Sequence, residues 1–307
     1  MTRLSIPLAA ALAAIVVFTA AARMAAQEPV FRSRSDVVVL YVNVFDGKSD
    51  AVPHLPKDAF QVYEDGVPQP ITFFDDTDVP VAVGLVIDNS SSMLTQRRMV
   101  LAGGTAFAES SHPDDEAFAI VFNEHVREGL PDSLQFTQSH SLLRAALLKF
   151  PPGGKTAMYD AVIAGLDHLQ MADLQKRVLI VLSDADDNAS SHSRQDMLHR
   201  ASRSDALIYT VFSGAVSATG GDPGVMRRLA HMTGGTEYEP KTEMQTVEDF
   251  RQIAVNVRRG YRIGYVPKTS NDGSYHRVKV TVHAPGFKQL NVRVRDGYTA
   301  GESDDAQ

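Results

Sequence analysis

Unbroken apolar runs alternate with amphipathic stretches through the middle of the chain. VAVGLVID (Val81–Asp88), AFAIVFN (Ala117–Asn123), RVLIVLSD (Arg177–Asp184) and ALIYTVFS (Ala206–Ser213) carry apolar residues on both faces. That pattern predicts strands covered on both sides. Between them, the stretch through Arg97, Val100 and Phe107, then SLLRAALLKF, YDAVIAGLDHLQ, RQDMLHRASRS, VMRRLAHMTGG and Met244–Arg258 follow helical spacing. Gly234-Gly235 supplies a C-terminal stop for the fifth of these helices. The alternation predicts an α/β domain over residues 80–260, with a doubly wound, mostly parallel sheet between two helical layers.

The flanks read differently. DVVVLYVNVF (Asp36–Phe45) is apolar on both faces and is expected as a buried strand. FQVYEDGVPQPITFF is expected as two short strands about the Asp65-Gly66 turn. HRVKVTV and QLNVRVR alternate apolar and polar residues. They are expected to form a half-buried antiparallel pair, turning at Pro285-Gly286. Segments 33–78 and 261–299 are each too short for a robust core of their own. Together they predict one small β-sandwich, with the α/β domain inserted between its halves. The acidic tail 300–307 is expected to be disordered.

The first residues change the setting. Met1-Thr2-Arg3 is basic, Leu4–Ala22 is uncharged and apolar, and the run closes on Ala20-Ala21-Ala22. Residues 1–26 are therefore read as a signal peptide, cut near Ala22 or a few residues later. An uncleaved anchor is the alternative, since the run is just long enough to span a bilayer. No later segment is apolar enough to do so. The chain has 0 cysteines, so it uses no disulfide and lacks the lipid-attachment cysteine of lipoproteins. An exported protein, periplasmic or secreted, is expected. A net charge of −7 over 307 residues speaks against a nucleic-acid partner, which calls for a basic face.

Candidate chemistry gathers at strand ends. Asp88, Ser90 and Ser92 sit on the loop that follows VAVGLVID, and Asp184 ends RVLIVLSD. Thr156 lies on a loop leading into a helix. In open α/β sheets such loops converge at the carboxyl ends of the strands, where ligands bind. All five side chains offer oxygen, which suits Mg²⁺ or Mn²⁺. Neutral hydroxyls coordinate without cancelling the charge of the cation. Zinc fits poorly, because no Cys/His cluster accompanies the set, and the EF-hand pattern is absent.

This constellation, Asp88-Asn89-Ser90-Ser91-Ser92 with Thr156 in GGKTAMYDA and Asp184 in VLSDADDN, resembles the metal-ion-dependent adhesion site (MIDAS) of von Willebrand factor type A (VWA) domains. The resemblance implies that Asp88, Ser90, Ser92 and Thr156 hold a divalent metal directly or nearly so, and that Asp184 binds it through water. It also implies that a partner's Glu or Asp carboxylate takes the open position. The runs VYEDGVPQPITFF, YRIGYVP and RVRDGYTA extend the similarity to exported bacterial VWA-related proteins typical of acidobacteria. Ala185 departs from the pattern, since many relatives have glycine after the aspartate, and Lys155 beside the threonine is less usual.

Other readings compete. Gly154-Lys155-Thr156 is similar to the end of a P-loop, but Lys149 stands where a small residue is needed and a helix precedes it, so no nucleotide is expected. Asp88 and Ser90 could cap the following helix. Ser90, Ser91 or Ser92 could serve a serine hydrolase, but G-x-S-x-G is absent and His112, His125, His168, His192, His199 and His231 are scattered. The run Asp114-Asp115-Glu116 is expected as a solvated turn, as are Asp186 and Asp187, and Asp160 is placed in a first helical turn. The expectation is a non-enzymatic protein that binds a protein ligand, as in adhesion, with an envelope scaffold carrying an incidental metal as the alternative.

Overall fold

The computed structural model describes residues 37–47, 50–213, 221–268 and 273–300. The signal segment and the tail beyond Ala300 lie outside the described residues. The six strands of the central sheet are, in chain order, β6 (Val81–Asp88), β7 (Glu116–Phe122), β8 (Val126–Glu128), β9 (Lys176–Ser183), β10 (Leu207–Phe212) and β11 (Glu237–Tyr238), and they lie side by side in the order β11-β10-β9-β6-β7-β8. All pairs are parallel except β7 with β8. Sequence pattern did not disclose β8, three residues long and partly exposed. It extends the sheet by one short antiparallel edge.

Among the described residues, six helices accompany this sheet: α1 (Arg97–Ser110), α2 (His140–Leu148), α3 (Met158–Leu169), α4 (Arg194–Arg203), α5 (Pro223–Thr233) and α6 (Glu243–Arg258). Their ends follow local chemistry. Ser193 and Asp196 form a reciprocal capping box at α4. Asp222 caps α5, with Pro223 opening the first turn, and Gly234 closes that helix in the left-handed region at φ 88. Every residue of β6 is buried. With Val178–Leu182, Phe118, Ile120 and residues of the covering helices, β6 forms one large apolar core. Strand order reverses beside β6: one connection leads outward to β7, and the connection from β9 leads the other way to β10. The crevice for a ligand therefore opens between the carboxyl ends of β6 and β9.

Two small antiparallel sheets take up the flanking segments. One contains β1 (Val38–Asp46), β2 (Asp50–Ala51), β5 (Ile71–Asp75), β12 (Tyr261–Tyr265) and β14 (Leu290–Arg293), in the order β14-β1-β12-β5 with β2 against β1. The other contains β3 (Phe60–Glu64), β4 (Val67–Gln69), β13 (Tyr275–Val282) and β15 (Gly297–Thr299), in the order β15-β13-β3-β4. Both sheets draw strands from both flanks, and Leu40, Val42, Phe60, Val62, Tyr261 and Val280 share one apolar cluster.

Three expectations need correction. The expected pair of 276–282 with 289–295 does not form: β13 is flanked by β3 and β15, while β14 crosses to the other sheet and pairs with Asn43–Asp46. Alternation showed which faces are apolar, but not which edge each strand joins. The second half of FQVYEDGVPQPITFF splits at Pro70, so that β4 stays with β3 and β5 moves to β12. Finally, β1 is not buried throughout, as Val39 is 42% exposed.

The chain passes between the α/β part and the small sheets at β5–β6 and again at α6–β12. Asp115 holds this junction. Its carboxylate accepts from the backbone N–H of Val81 at 2.9 Å and of His112 at 2.9 Å, and it pairs with the Arg258 guanidinium. It is 4% exposed, so the solvated-turn reading fails for this residue. Nearby, Lys176 is buried and donates to the Val257 carbonyl at 2.5 Å. Burial, with Arg258 adding to it, pushes the Lys176 ammonium down to about 8 from 10.5. Between those values the unfolded chain binds more protons than the folded one, so stability rises with pH across this window. Lys176→Met is expected to remove that rise. In urea melts at pH 8 and pH 10.5, the wild type should gain about 2 kcal/mol more than the variant; equal gains would contradict the assignment.

Candidate metal centre

Asp88 ends β6 with its side chain 2% exposed, and two hydrogen bonds fix it. Oδ1 accepts from the Ser90 backbone N–H at 2.9 Å, and Oδ2 accepts from Ser183 Oγ at 2.5 Å. Burial pushes the Asp88 carboxyl up to about 6, opposed by the hydrogen bonds from Ser183 and Ser90 and reinforced by the neighbouring Asp184. Taking a carboxylate out of water is unfavourable unless a positive charge or more donors compensate. Ser90 Oγ lies 3.0 Å from Ser92 Oγ, so the two hydroxyls form one pair. Neither Ser90 nor Gln96 makes a side-chain cap at the helical turn Ser91–Gln96 or at α1. The capping explanation for Ser90 therefore finds no support.

The other two loops are stitched to this one through main chain. The Ser91 N–H donates to the Gly154 carbonyl at 3.0 Å, and the Gly153 N–H to the Asn89 carbonyl at 2.8 Å. Asn89 Nδ2 reaches the carbonyls of Phe150 and Pro151, and its Oδ1 accepts from Arg97. Thr156 is 2% exposed. Its N–H donates to Asn188 Oδ1 at 3.0 Å, and its carbonyl accepts from the N–H groups of Asn188 and Ala189. Asp184 stands one residue past β9, beside Ser183, which holds Asp88. All three loops carrying the five candidate residues thus meet outside β6 and β9. Thr156 follows a loop preceded by α2 rather than by a strand, so the P-loop context is absent.

Two further observations bear on a cation. Asp184 Oδ2 is buried and has no hydrogen-bond partner among the described residues, and the same holds for Ser213 Oγ just beyond β10. An orphaned carboxylate oxygen beside a second buried carboxylate is unfavourable as it stands. A divalent ion, or water held by one, would satisfy it. Among the described residues no group of three or more His, Cys, Asp or Glu could hold a metal; the set here is two carboxylates and three hydroxyls. That donor set fits a hard cation of the Mg²⁺ or Mn²⁺ kind.

Several supporting residues escaped the sequence reading. Ser183 carries no motif signal, because it reads as the last strand residue. Asp187 is not merely solvated: its Oδ2 accepts from the Tyr159 N–H at 2.9 Å and from Ser190 Oγ at 2.6 Å, anchoring the start of α3. Asp160 lies in the first turn of α3 as expected, and also accepts from Ser191 and His192. Ala185 adopts φ 59, a left-handed conformation that glycine enters more readily. A Cβ at Gly221 would overlap the Asp184 carbonyl oxygen, and the Asp222 N–H donates to the Ala185 carbonyl at 3.2 Å. Gly221→Ala is therefore expected to displace the Asp184 loop and to weaken Mn²⁺ binding about 10–100-fold, the range for residues supporting metal ligands. Calorimetric titration checks this, and unchanged affinity would contradict it.

No histidine hydrogen-bonds to Ser90, Ser91 or Ser92 among the described residues. A Ser274–His276–Asp65 chain exists elsewhere, with His276 Nε2 3.0 Å from Ser274 Oγ and Nδ1 2.7 Å from Asp65 Oδ2. His276 is turned into the apolar interior beside Tyr298, and the other Asp65 oxygen accepts from the Arg277 N–H. The chain clips the Asp65 turn to β13.

No family model matches the sequence, and no curated protein matches it. Solved structures do match. A von Willebrand factor type A protein from Catenulispora acidiphila aligns at 15% identity and TM-score 0.51, covering 86% of this chain and 75% of its own. The fold is VWA-like. Proximal thread matrix protein 1 of the mussel byssus, in a structure with a zinc-occupied MIDAS motif, aligns at 14% identity and TM-score 0.50, over 64% of this chain and 50% of that one. The present chain thus spans about half the length of the mussel protein. At these identities the likeness establishes the fold of the VWA-like domain, its α/β layers and its mostly parallel sheet.

Proposed function

We propose that this chain is an exported VWA-domain protein that binds a protein ligand through a divalent metal held by Asp88, Ser90, Ser92, Thr156 and, through water, Asp184. The observation that carries the reading is the buried Asp184 Oδ2, without a hydrogen-bond partner among the described residues, beside the buried Asp88 carboxylate. When bound, a divalent cation supplies an electrophilic position for a carboxylate oxygen of the partner. The chain's own residues do the rest. Ser183 and the Ser90 N–H orient Asp88. Three neutral hydroxyls leave the charge of the ion largely uncancelled. Main-chain bonds between the loops hold the donors in place before any ligand arrives, which reduces the entropy lost on binding.

Mg²⁺ and Mn²⁺ are the proposed ions. The zinc in the mussel structure's motif makes Zn²⁺ a necessary comparison. Export, to the periplasm or beyond the cell, follows from the signal-like first residues. An adhesion or assembly role follows from the binding mode.

The test is a random peptide display panned on immobilised protein in Mg²⁺ and eluted with chelator. Eluted peptides are expected to share an Asp or Glu, and Asp88→Ala protein is expected to retain none of them. Recovery that is equal with and without metal would sink the reading.

A further inference from the structure

Away from the metal loops, a cleft of about 850 Å³ opens between the outer face of the β15-β13-β3-β4 sheet and the C-terminal ends of α4 and α5. Its sheet wall carries Tyr63, Tyr275, Arg277 and Lys279, and its helix wall Arg228 and Met232. The strand alternation that buries His276, Val278 and Val280 turns Tyr275, Arg277 and Lys279 outward. Tyr63 stands directly across from Lys279 in the β3–β13 register. Arg228 is neutralised by Asp296 at 3.2 Å. Arg277 and Lys279 form no ion pair with any described residue, although the chain as a whole carries −7. Two cations without a salt-bridge partner among the described residues, Arg277 with the Asp65 carboxylate nearby, thus alternate with two tyrosine rings on one concave surface, where small ligands commonly bind between structural layers.

We infer that this cleft binds an acidic oligosaccharide, through carboxylate or sulfate groups on Arg277 and Lys279 and sugar rings on Tyr63 and Tyr275. Charge complementarity selects an anion, and the rings supply apolar platforms for the faces of the sugars. A peptide fits less well. Strand β13 pairs with β15 over Tyr275–Arg277 and with β3 over Val278–Val282, and it meets the cleft through its outward side chains rather than along a backbone ladder. The hydroxyls of a saccharide can be satisfied by side chains and water. The N-terminal ends of α4 and α5 adjoin the Asp184 loop, where the Asp222 N–H meets the Ala185 carbonyl. The cleft, at their C-terminal ends, therefore lies at the opposite end of the parallel sheet and works without the metal.

Isothermal titration of the mature protein tests this, with hexagalacturonate, a heparin hexasaccharide, maltohexaose and hexaglutamate as probes. One or both acidic saccharides are expected to bind, weakening as salt is raised, with maltohexaose silent and hexaglutamate at least about tenfold weaker. The two acidic arms distinguish carboxylate from sulfate. Lys279→Glu, on an exposed position, is expected to lower affinity about tenfold or more with an unchanged melting temperature, and Tyr275→Ala, whose ring also lies over Gly297, to lower affinity as much in protein that is still folded. Asp88→Ala is expected to bind as the wild type does. Silence of both acidic saccharides, equal or tighter binding of hexaglutamate, or binding that survives Lys279→Glu would overturn the assignment.

Discussion

Asp115→Ala is expected to destabilise the protein by about 3–5 kcal/mol, the range for removing one partner of a buried ion pair. The loss has two parts. Arg258 would keep its position near Asp78 and the Val79 carbonyl, but would lose the buried carboxylate that balances its charge. The N–H groups of Val81 and His112 would lose their acceptor; Val81 is buried, and an unsatisfied buried donor is unfavourable by about 1–3 kcal/mol, whereas the His112 N–H can turn to water. Asp115→Asn keeps an acceptor oxygen for one of these donors and should fall between wild type and Ala. Urea unfolding of the three proteins checks the order. A loss below about 1 kcal/mol for Asp115→Ala would mean that the junction is held elsewhere.

Asp88→Ala is expected to have the largest effect on ligand response. For the wild type, Mg²⁺ or Mn²⁺ at a hundredfold excess over its dissociation constant should add about 2.7 kcal/mol of stability, because the ion binds only the folded chain. The variant should show no such gain. In chelator its stability should stay close to that of the wild type, since two opposing changes meet there. Removing Asp88 takes the acceptor from the Ser183 O–H, whose oxygen still accepts from the Ala185 N–H, and from the Ser90 N–H, and it also removes a buried carboxylate that Asp184 repels. Thermal melts with and without metal separate these effects. A metal-dependent rise that persists in Asp88→Ala would place the ion at another site.

The parts of this molecule legible in the sequence are those set by local pattern. The apolar runs Val81–Ile87 and Val178–Leu182 are buried on both faces, so VAVGLVID and RVLIVLSD could be recognised as central strands. The helices follow from spacing and caps, as Ser193 and Asp222 show. The three loops bearing Asp88, Thr156 and Asp184 meet because strand order reverses between β6 and β9, which the alternation implied. What could not be read depends on contacts distant in sequence. Asp115 and Arg258 lie 143 positions apart, and nothing around either marks the other. Strand β14 alternates as any half-buried strand does, yet it pairs with β1 rather than β13. Ser183 and Gly221 matter only through what the fold sets against them, an aspartate from β6 in one case and a carbonyl oxygen in the other.

The most direct measurement is a calorimetric titration of Mn²⁺ into the chelator-stripped mature protein, with Asp88→Ala and Thr156→Ala alongside. The account predicts one saturable site in the wild type, lost in Asp88→Ala and weakened about tenfold or more in Thr156→Ala. No saturable binding by the wild type, or binding unchanged in both variants, would contradict it.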